Sequence, residues 1–222
     1  MAENFFLGTG AVRLTVAPVS ELRDESGVAG KMLLEAVEGS VAAIRRLEGM
    51  GAEFCRGAGL LVGALRSGGK VLACGNGGSA ADAAHFMTEL LCRYVGDRPS
   101  LCGLALGCDG SFLTAAGNDY GFERVFARQV EGIGRPDDVL VGISTSGNSE
   151  NVNAAFREAR EMGLSTLGLL GRDGGAAAAL CDVAIIVPHA ETARIQEAHT
   201  VLIHAFCATI ERELFPAGVP HE

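Results

Sequence analysis

Short apolar runs bounded by Gly, Ser and Asp alternate along this chain with longer stretches whose apolar positions recur at helical spacing. Met32, Leu33, Ala36, Val37, Val41, Ile44 and Leu47 predict a helix from about Lys31 to Glu48, and Glu53 to Arg66 continues the pattern after Gly51. The run from Lys70 to Cys74 reads as the first core strand and precedes a helix from about Ala80 to Tyr94. Further strands are expected at Leu101 to Leu106, Asp138 to Ser144, Thr166 to Leu170 and Val183 to Val187. The intervening helices are a short segment before Asn118, Ser149 to Met162, a brief alanine helix at Ala176 to Leu180, and a long final helix from about Glu191 to Leu214. Nearly all-apolar strands separated by helices imply a parallel sheet covered on both faces, in a single α/β domain over residues 29–222. Residues 1–28 form an N-terminal extension, where Val12 to Val16 alternates ahead of Pro18 as an edge strand, an arm or a tail.

Composition narrows the class. With 222 residues, 48% hydrophobic residues, 31 Gly and no Trp, the chain suits one well-buried domain with many strand-to-helix turns. A net charge of −9 argues against nucleic acid, while a phosphorylated metabolite remains open to a local anion site. The seven cysteines form no Cys-x-x-Cys pair and are odd in number, so neither a disulfide framework nor a zinc-thiolate site is indicated. They read mostly as small buried hydrophobes. The start lacks the basic and long apolar regions of a signal peptide, and no run is long enough for a membrane span. A soluble cytoplasmic protein without membrane partners is expected.

Two loops carry the chemistry. Gly75-Asn76-Gly77-Gly78-Ser79 and Ser144-Thr145-Ser146-Gly147-Asn148-Ser149 each lie between a strand and a helix, at the carboxyl ends of strands where α/β sheets bind ligands. Glycines let the backbone approach an oxyanion, and the amides and dipole of the following helix attract it. Neither loop has a P-loop lysine or a dinucleotide Gly-x-Gly-x-x-Gly pattern, so hydroxyls and amides must do the holding. As an alternative, Ser149 is a plain N-cap. A sugar phosphate is the first ligand to consider.

His85 and Glu89 stand four apart on one helix face, a spacing that suits one metal ion or an ordinary surface pair. The final helix sets Gln196, Glu197, His199 and His204 among apolar neighbours, where polar groups need partners. Gln196 and His204 are eight residues apart, about 12 Å, so a metal between them or a site shared between protomers is suggested. Asn118-Asp119-Tyr120-Gly121 reads equally as a turn.

Taken together, the stretches Cys74 to Leu90, Gly117 to Phe122, Gly142 to Ser149 and Arg194 to His199 resemble the sugar isomerase (SIS) family, and within it the phosphoheptose isomerases. The resemblance spans about residues 31–215 and implies a three-layer α/β/α sandwich of flavodoxin-like topology with extra N-terminal helices. It implies aldose–ketose isomerisation of sedoheptulose 7-phosphate to D-glycero-D-manno-heptose 7-phosphate, the first step toward the ADP-heptose of bacterial surface glycan. It further implies a cytoplasmic homotetramer with one zinc per subunit, held by His85, Glu89, Gln196 and His204. Substrate contacts carried over by resemblance are Asn76, Gly77, Gly78, Ser79, Glu89, Asn118, Asp119, Ser144, Thr145, Ser146, Ser149 and Gln196. An enediolate route needs a base at carbon and an acid at oxygen, roles expected of Glu89 and His204. Ala193 stands where some members carry an acid before Arg-Ile-Gln. Non-catalytic SIS proteins, binding a replication initiator or sensing a sugar phosphate, are the competing class; a binding-only homologue has no need of Glu89 with Gln196 and His204.

Overall fold

A computed structural model describes residues 5–7, 10–12 and 27–216 and divides the chain into two units, residues 1–41 and 42–222. In the first unit, β1 (Phe5–Leu7) pairs antiparallel with β2 (Gly10–Val12), and α1 (Val28–Arg45) begins. The strand expected from Val12 onward lies, beyond Val12, outside the described residues. The apolar stripe of α1 is not covered as its spacing predicts: Met32, Leu33, Val37 and Val41 are exposed, and so are Val28 and Leu34.

The second unit holds α2 (Gly51–Arg66), β3 (Val71–Gly75), α3 (Gly78–Leu91), β4 (Gly103–Ala105), α4 (Gly110–Tyr120) and α5 (Val125–Ile133). It continues with β5 (Val139–Ser144), α6 (Glu150–Glu161), β6 (Ser165–Gly171), β7 (Val183–Val187) and α7 (Thr192–Leu214). Five strands form one parallel sheet in the order β4-β3-β5-β6-β7. Renumbered within the sheet this is 2-1-3-4-5, the flavodoxin-like order, whose switch point falls between β3 and β5.

Because successive strand residues face opposite ways, the sheet divides its apolar side chains between two cores. Val71, Ala73, Val141, Ile143, Leu167 and Leu169 meet α2, α3 and α7 through Leu61, Phe86 and Phe206. Leu72, Cys74, Leu140 and Leu170 meet α4, α5 and α6 through Ala116, Phe126 and Phe156. Gly142 is required here, since a Cβ would stand 2.2 Å from Phe156 Cζ. At the amino ends of the strands, buried Asp138 accepts bonds from the Lys70 and Arg135 amides and pairs with Lys70 Nζ at 2.6 Å, fixing β3 beside β5.

Three expectations are corrected. Asn118 and Asp119 are not a turn but the last turn of α4, which stops at Gly121 with φ 84°. A full helix, α5, follows where no separate element was expected. The cysteines, all unpaired, are mostly not buried: Cys55, Cys92, Cys102 and Cys108 are exposed, Cys181 is half-buried, and only Cys74 and Cys207 lie in the core.

Candidate active site

Both glycine loops stand at the carboxyl end of the sheet and open helices. Gly75 closes β3 with no room for a side chain, its Cβ position lying 2.6 Å from the Ser79 carbonyl oxygen. Gly77 caps α3 with φ 54°, in the left-handed region that favours glycine. The side chain of Asn76 is committed: its amide exchanges two hydrogen bonds with Asn151 of α6, at 2.9 and 2.8 Å. Asn76 therefore ties the first loop to the helix opened by the second.

In the second loop, the buried Ser144 hydroxyl lies 3.1 Å from Ser149 Oγ and accepts a bond from the Gly147 amide at 3.1 Å. Ser146 Oγ accepts from the Asn148 amide. Ser149 sits at the N-cap of α6, yet its hydroxyl makes no bond to that helix. In α6 the Val152 amide is taken by Asn151 Oδ1 at 3.0 Å, while Ser149 caps none of the helix amides; in α4 the Ser111 and Phe112 amides are both taken by Asp109. Gly147, φ 65°, is packed so tightly that a Cβ would lie 2.0 Å from the Gly174 oxygen. A cavity of about 820 Å³ opens beside Ser146 and Asn148, lined also by Arg172 and His189. Arg172 has φ 57°, the one non-glycine residue in the left-handed region among the described residues.

The catalytic candidates come from α3 and α7, which run side by side in one direction. Gln196 lies against Gly78, the Thr200 hydroxyl donates to Asp82 Oδ1 at 3.3 Å, and His204 Nε2 is 3.4 Å from His85 Nε2. These pairs keep a nearly constant sequence offset, so the helices stay in register. His85 Nε2 is also 3.2 Å from Glu89 Oε1, and its ring meets the His204 ring edge-on at 5.0 Å between centroids. The Tyr94 ring lies 5.6 Å from that of His204 on another side. Asp82, one turn before His85, has a buried Oδ2 without a partner; burial raises its carboxyl, against the lowering pulls of Thr200 and His85.

The donor set was tested for zinc. A tetrahedral ion with bonds of about 2.0–2.1 Å holds its ligand atoms about 3.3 Å apart. The His85–Glu89 and His85–His204 separations match that edge, with nitrogen and oxygen donors of the right kind. Among the described residues no three His, Cys, Asp or Glu side chains already close into a cage. Gln196 stands at the loop end, its amide 2.5 Å from where a Gly78 Cβ would be, some two turns of α7 from His204.

Of the other expected residues, Asn118 and Asp119 are exposed and bonded to each other at 2.8 Å, with no hydrogen bond to either loop. Ser79 is buried at the start of α3, and Thr145 is half-buried. His199 is structural: fully buried, bonded to the Leu170 carbonyl at 3.0 Å, and lowered by desolvation to about 4. Sequence reasoning missed Asp82, Tyr94, Arg98, Arg172 and Glu211. For Arg172 a signal existed, a basic residue directly after a strand and before Gly174-Gly175; for the rest, only the fold reveals their neighbours.

Comparison with known proteins gives the family. The SIS domain model matches residues 28–171. The chain belongs to the SIS domain family. Among curated SIS relatives, the phosphoheptose isomerase of Helicobacter hepaticus is 55% identical over 158 residues, 71% of this chain and 81% of that protein. That of Geobacter sulfurreducens is 50% identical over 188 residues, 85% of this chain and 95% of the relative. Among solved SIS structures, the phosphoheptose isomerase from Neisseria gonorrhoeae aligns with a TM-score of 0.77 and 46% identity, covering 82% of this chain and 98% of that one.

Proposed function

We infer that this chain is a phosphoheptose isomerase, interconverting sedoheptulose 7-phosphate and D-glycero-D-manno-heptose 7-phosphate on the route to ADP-heptose. The observation that carries this is the meeting of Glu89, His85 and His204 on two parallel helices, two to three turns from paired oxyanion loops. High identity over most of the chain to phosphoheptose isomerases supports the same reading. A non-catalytic SIS protein has no use for that constellation, so partner binding is the weaker alternative.

The substrate phosphate rests on the Ser144, Thr145, Ser146 and Ser149 hydroxyls and the α6 amides, while the sugar lies along Gly77, Gly78 and Gln196 toward Glu89. Glu89 removes a proton from C1 of the ketose, and the electron pair of that C–H bond becomes the C1–C2 double bond as O2 takes the negative charge. His204 carries the O1 proton to O2, and Glu89 returns its proton to C2, leaving the C1 aldehyde. A zinc ion held by His85, Glu89 and His204, with Gln196 toward the loop, supplies a positive charge for the enediolate when bound. Glu89 and His204 would act as base and proton carrier only while the ion does not engage them.

The exposed apolar stripe of α1, with Val28 at 79% and Leu33 at 65% relative exposure, supports self-association, read here as a homotetramer with sites shared between subunits. No helix among the described residues is long and apolar enough to cross a membrane, and phosphorylated substrates favour a cytoplasmic enzyme. The deciding experiment incubates purified protein with sedoheptulose 7-phosphate, with and without a chelator, and follows aldoheptose phosphate by NMR. Product is expected from the wild type and a loss of at least 10²-fold in Glu89→Gln; no product in either condition, or near-wild-type turnover of the variant, overturns the assignment.

A further inference from the structure

Outside the reacting groups, one buried ion pair touches both catalytic helices. Arg98 follows α3 by a short loop and its side chain is 2% exposed. Its guanidinium donates from Nη2 to the Glu89 carbonyl at 2.7 Å and from Nη1 to the carbonyls of Leu90 and Pro99, at 2.9 and 3.0 Å. Its Nε donates to Glu211 Oε1 of α7 at 3.0 Å. The same Glu211 carboxylate accepts from three successive amides, Tyr94, Val95 and Gly96, at 2.9, 3.2 and 3.2 Å. Tyr94 in turn sets its ring beside His204. Four of the five donors of the fork are spent, three of them on groups of α3 and α7.

A buried pair of this kind is an uncertain source of stability, since removing both charges from water offsets much of their attraction. Its geometry here serves another end. The last carbonyls of a helix have no intrahelical donors, so the end of α3 that carries Glu89 is free to fray unless something holds it. Arg98 supplies a donor at Glu89 and shares the Leu90 carbonyl with the Leu101 amide, and Glu211 fixes Arg98 and the Tyr94 segment to α7, seven residues beyond His204. Burial raises the Glu211 carboxyl, but the three amides and the guanidinium outweigh it and hold the group below its ordinary range.

We propose that Arg98 and Glu211 form a positioning pair that sets the distance between Glu89 and His204, and through it the rate of proton transfer. The proposal rests on the isomerase reading above. Neither residue is among those assigned to the substrate above, so loss of the pair is expected to act on turnover and not on substrate affinity. A misplacement of about 1 Å between reacting groups costs up to about 10²-fold in rate.

The test compares Arg98→Lys and Glu211→Gln with Asp182→Asn, a control at the amino end of β6 where Asp182 holds the Thr166 amide and hydroxyl. Turnover of sedoheptulose 7-phosphate is measured per folded protein, judged by circular dichroism at the assay temperature. The pair variants are expected to lose about tenfold or more in kcat with KM within twofold of wild type, whereas Asp182→Asn lowers Tm with kcat unchanged. The double variant is expected to be no slower than the slower single one. If the Glu211→Gln protein does not fold, Arg98→Lys carries the test alone, because it keeps the charge and Nζ still reaches a carbonyl. Folded variants with kcat within twofold of wild type, a loss that appears in KM, or an equal kcat loss in the Asp182 control overturn the proposal. A wild type without isomerase activity overturns the functional reading instead, so the two failures are distinct.

Discussion

Replacing Gly78 by Ala separates the needs of the fold from those of the site. Gly78 is the first residue of α3 and has no left-handed φ, so the backbone accepts alanine. A Cβ there would meet Gln196 Nε2 at 2.5 Å, Oε1 at 2.8 Å and Cδ at 2.9 Å, and nothing else is closer. An ordinary contact needs about 3.4 Å, so the Gln196 amide must retreat by about 0.9 Å. That group is the end of a flexible side chain, and an off-rotamer adjustment costs about 0.5–1.5 kcal/mol. Alanine in place of glycine in a helix returns up to about 1 kcal/mol. The net change in stability is within about 1 kcal/mol, or at most about 4 °C in Tm for a chain of this size.

Activity has no such compensation. If Gln196 contacts the sugar or a metal, a shift of nearly 1 Å lowers kcat/KM by about 10- to 100-fold. Thermal melts and the sedoheptulose 7-phosphate assay are run on Gly78→Ala, Gln196→Ala and the double variant. Because the clash vanishes with the Gln196 side chain, the double variant should be as active as Gln196→Ala and no less. Wild-type activity in Gly78→Ala refutes a role for Gln196. A double variant much worse than Gln196→Ala shows that the methyl blocks the ligand itself.

Two further perturbations have definite signs. His199 titrates near 4 when folded and near 6.5 when unfolded, so below 6.5 the unfolded chain binds a proton that the fold refuses. Its contribution is complete above pH 6.5 and is lost as pH falls toward 4, up to about 3 kcal/mol. Urea midpoints between pH 8 and 4.5 should fall in that window, and a midpoint flat from pH 6.5 to 4.5 refutes the assignment. Gly147→Ala forces a Cβ within 2.0 Å of the Gly174 oxygen at a left-handed φ, so the Ser144–Ser149 loop must open. KM should rise by tenfold or more, and inorganic phosphate should lose its competitive inhibition; an unchanged KM would place the phosphate elsewhere.

The strands of the main sheet were legible to within two residues because both faces of a parallel strand are buried, so each reads as a continuous apolar run. Composition misled at Asn118-Asp119-Tyr120-Gly121, which has turn residues but spends only Gly121 on the break. It misled again for the cysteines, whose average burial says nothing about Cys92 beside a helix end or Cys102 before an edge strand. On α1 the apolar period was real, yet Met32, Leu33, Val37 and Val41 are exposed. Motif residues could be named from the sequence, but not Gln196 against Gly78 or Glu211 against Arg98, each more than 100 residues away along the chain.

The 12 Å between Gln196 and His204 looked awkward for a single site when α7 was considered alone. Laid beside α3, the separation matches the seven residues, about 10.5 Å, between Gly78 and His85. Gln196 then answers to the loop and His204 to the histidine–glutamate pair, with Thr200 and Asp82 between them. A stripe of that kind suits a substrate whose phosphate and reacting carbons lie at opposite ends of a seven-carbon chain. In the proposed reading the anion loops hold one end, and chemistry at the other would depend on how firmly the far end of α3 is held. That end is where Arg98 meets the Glu89 carbonyl.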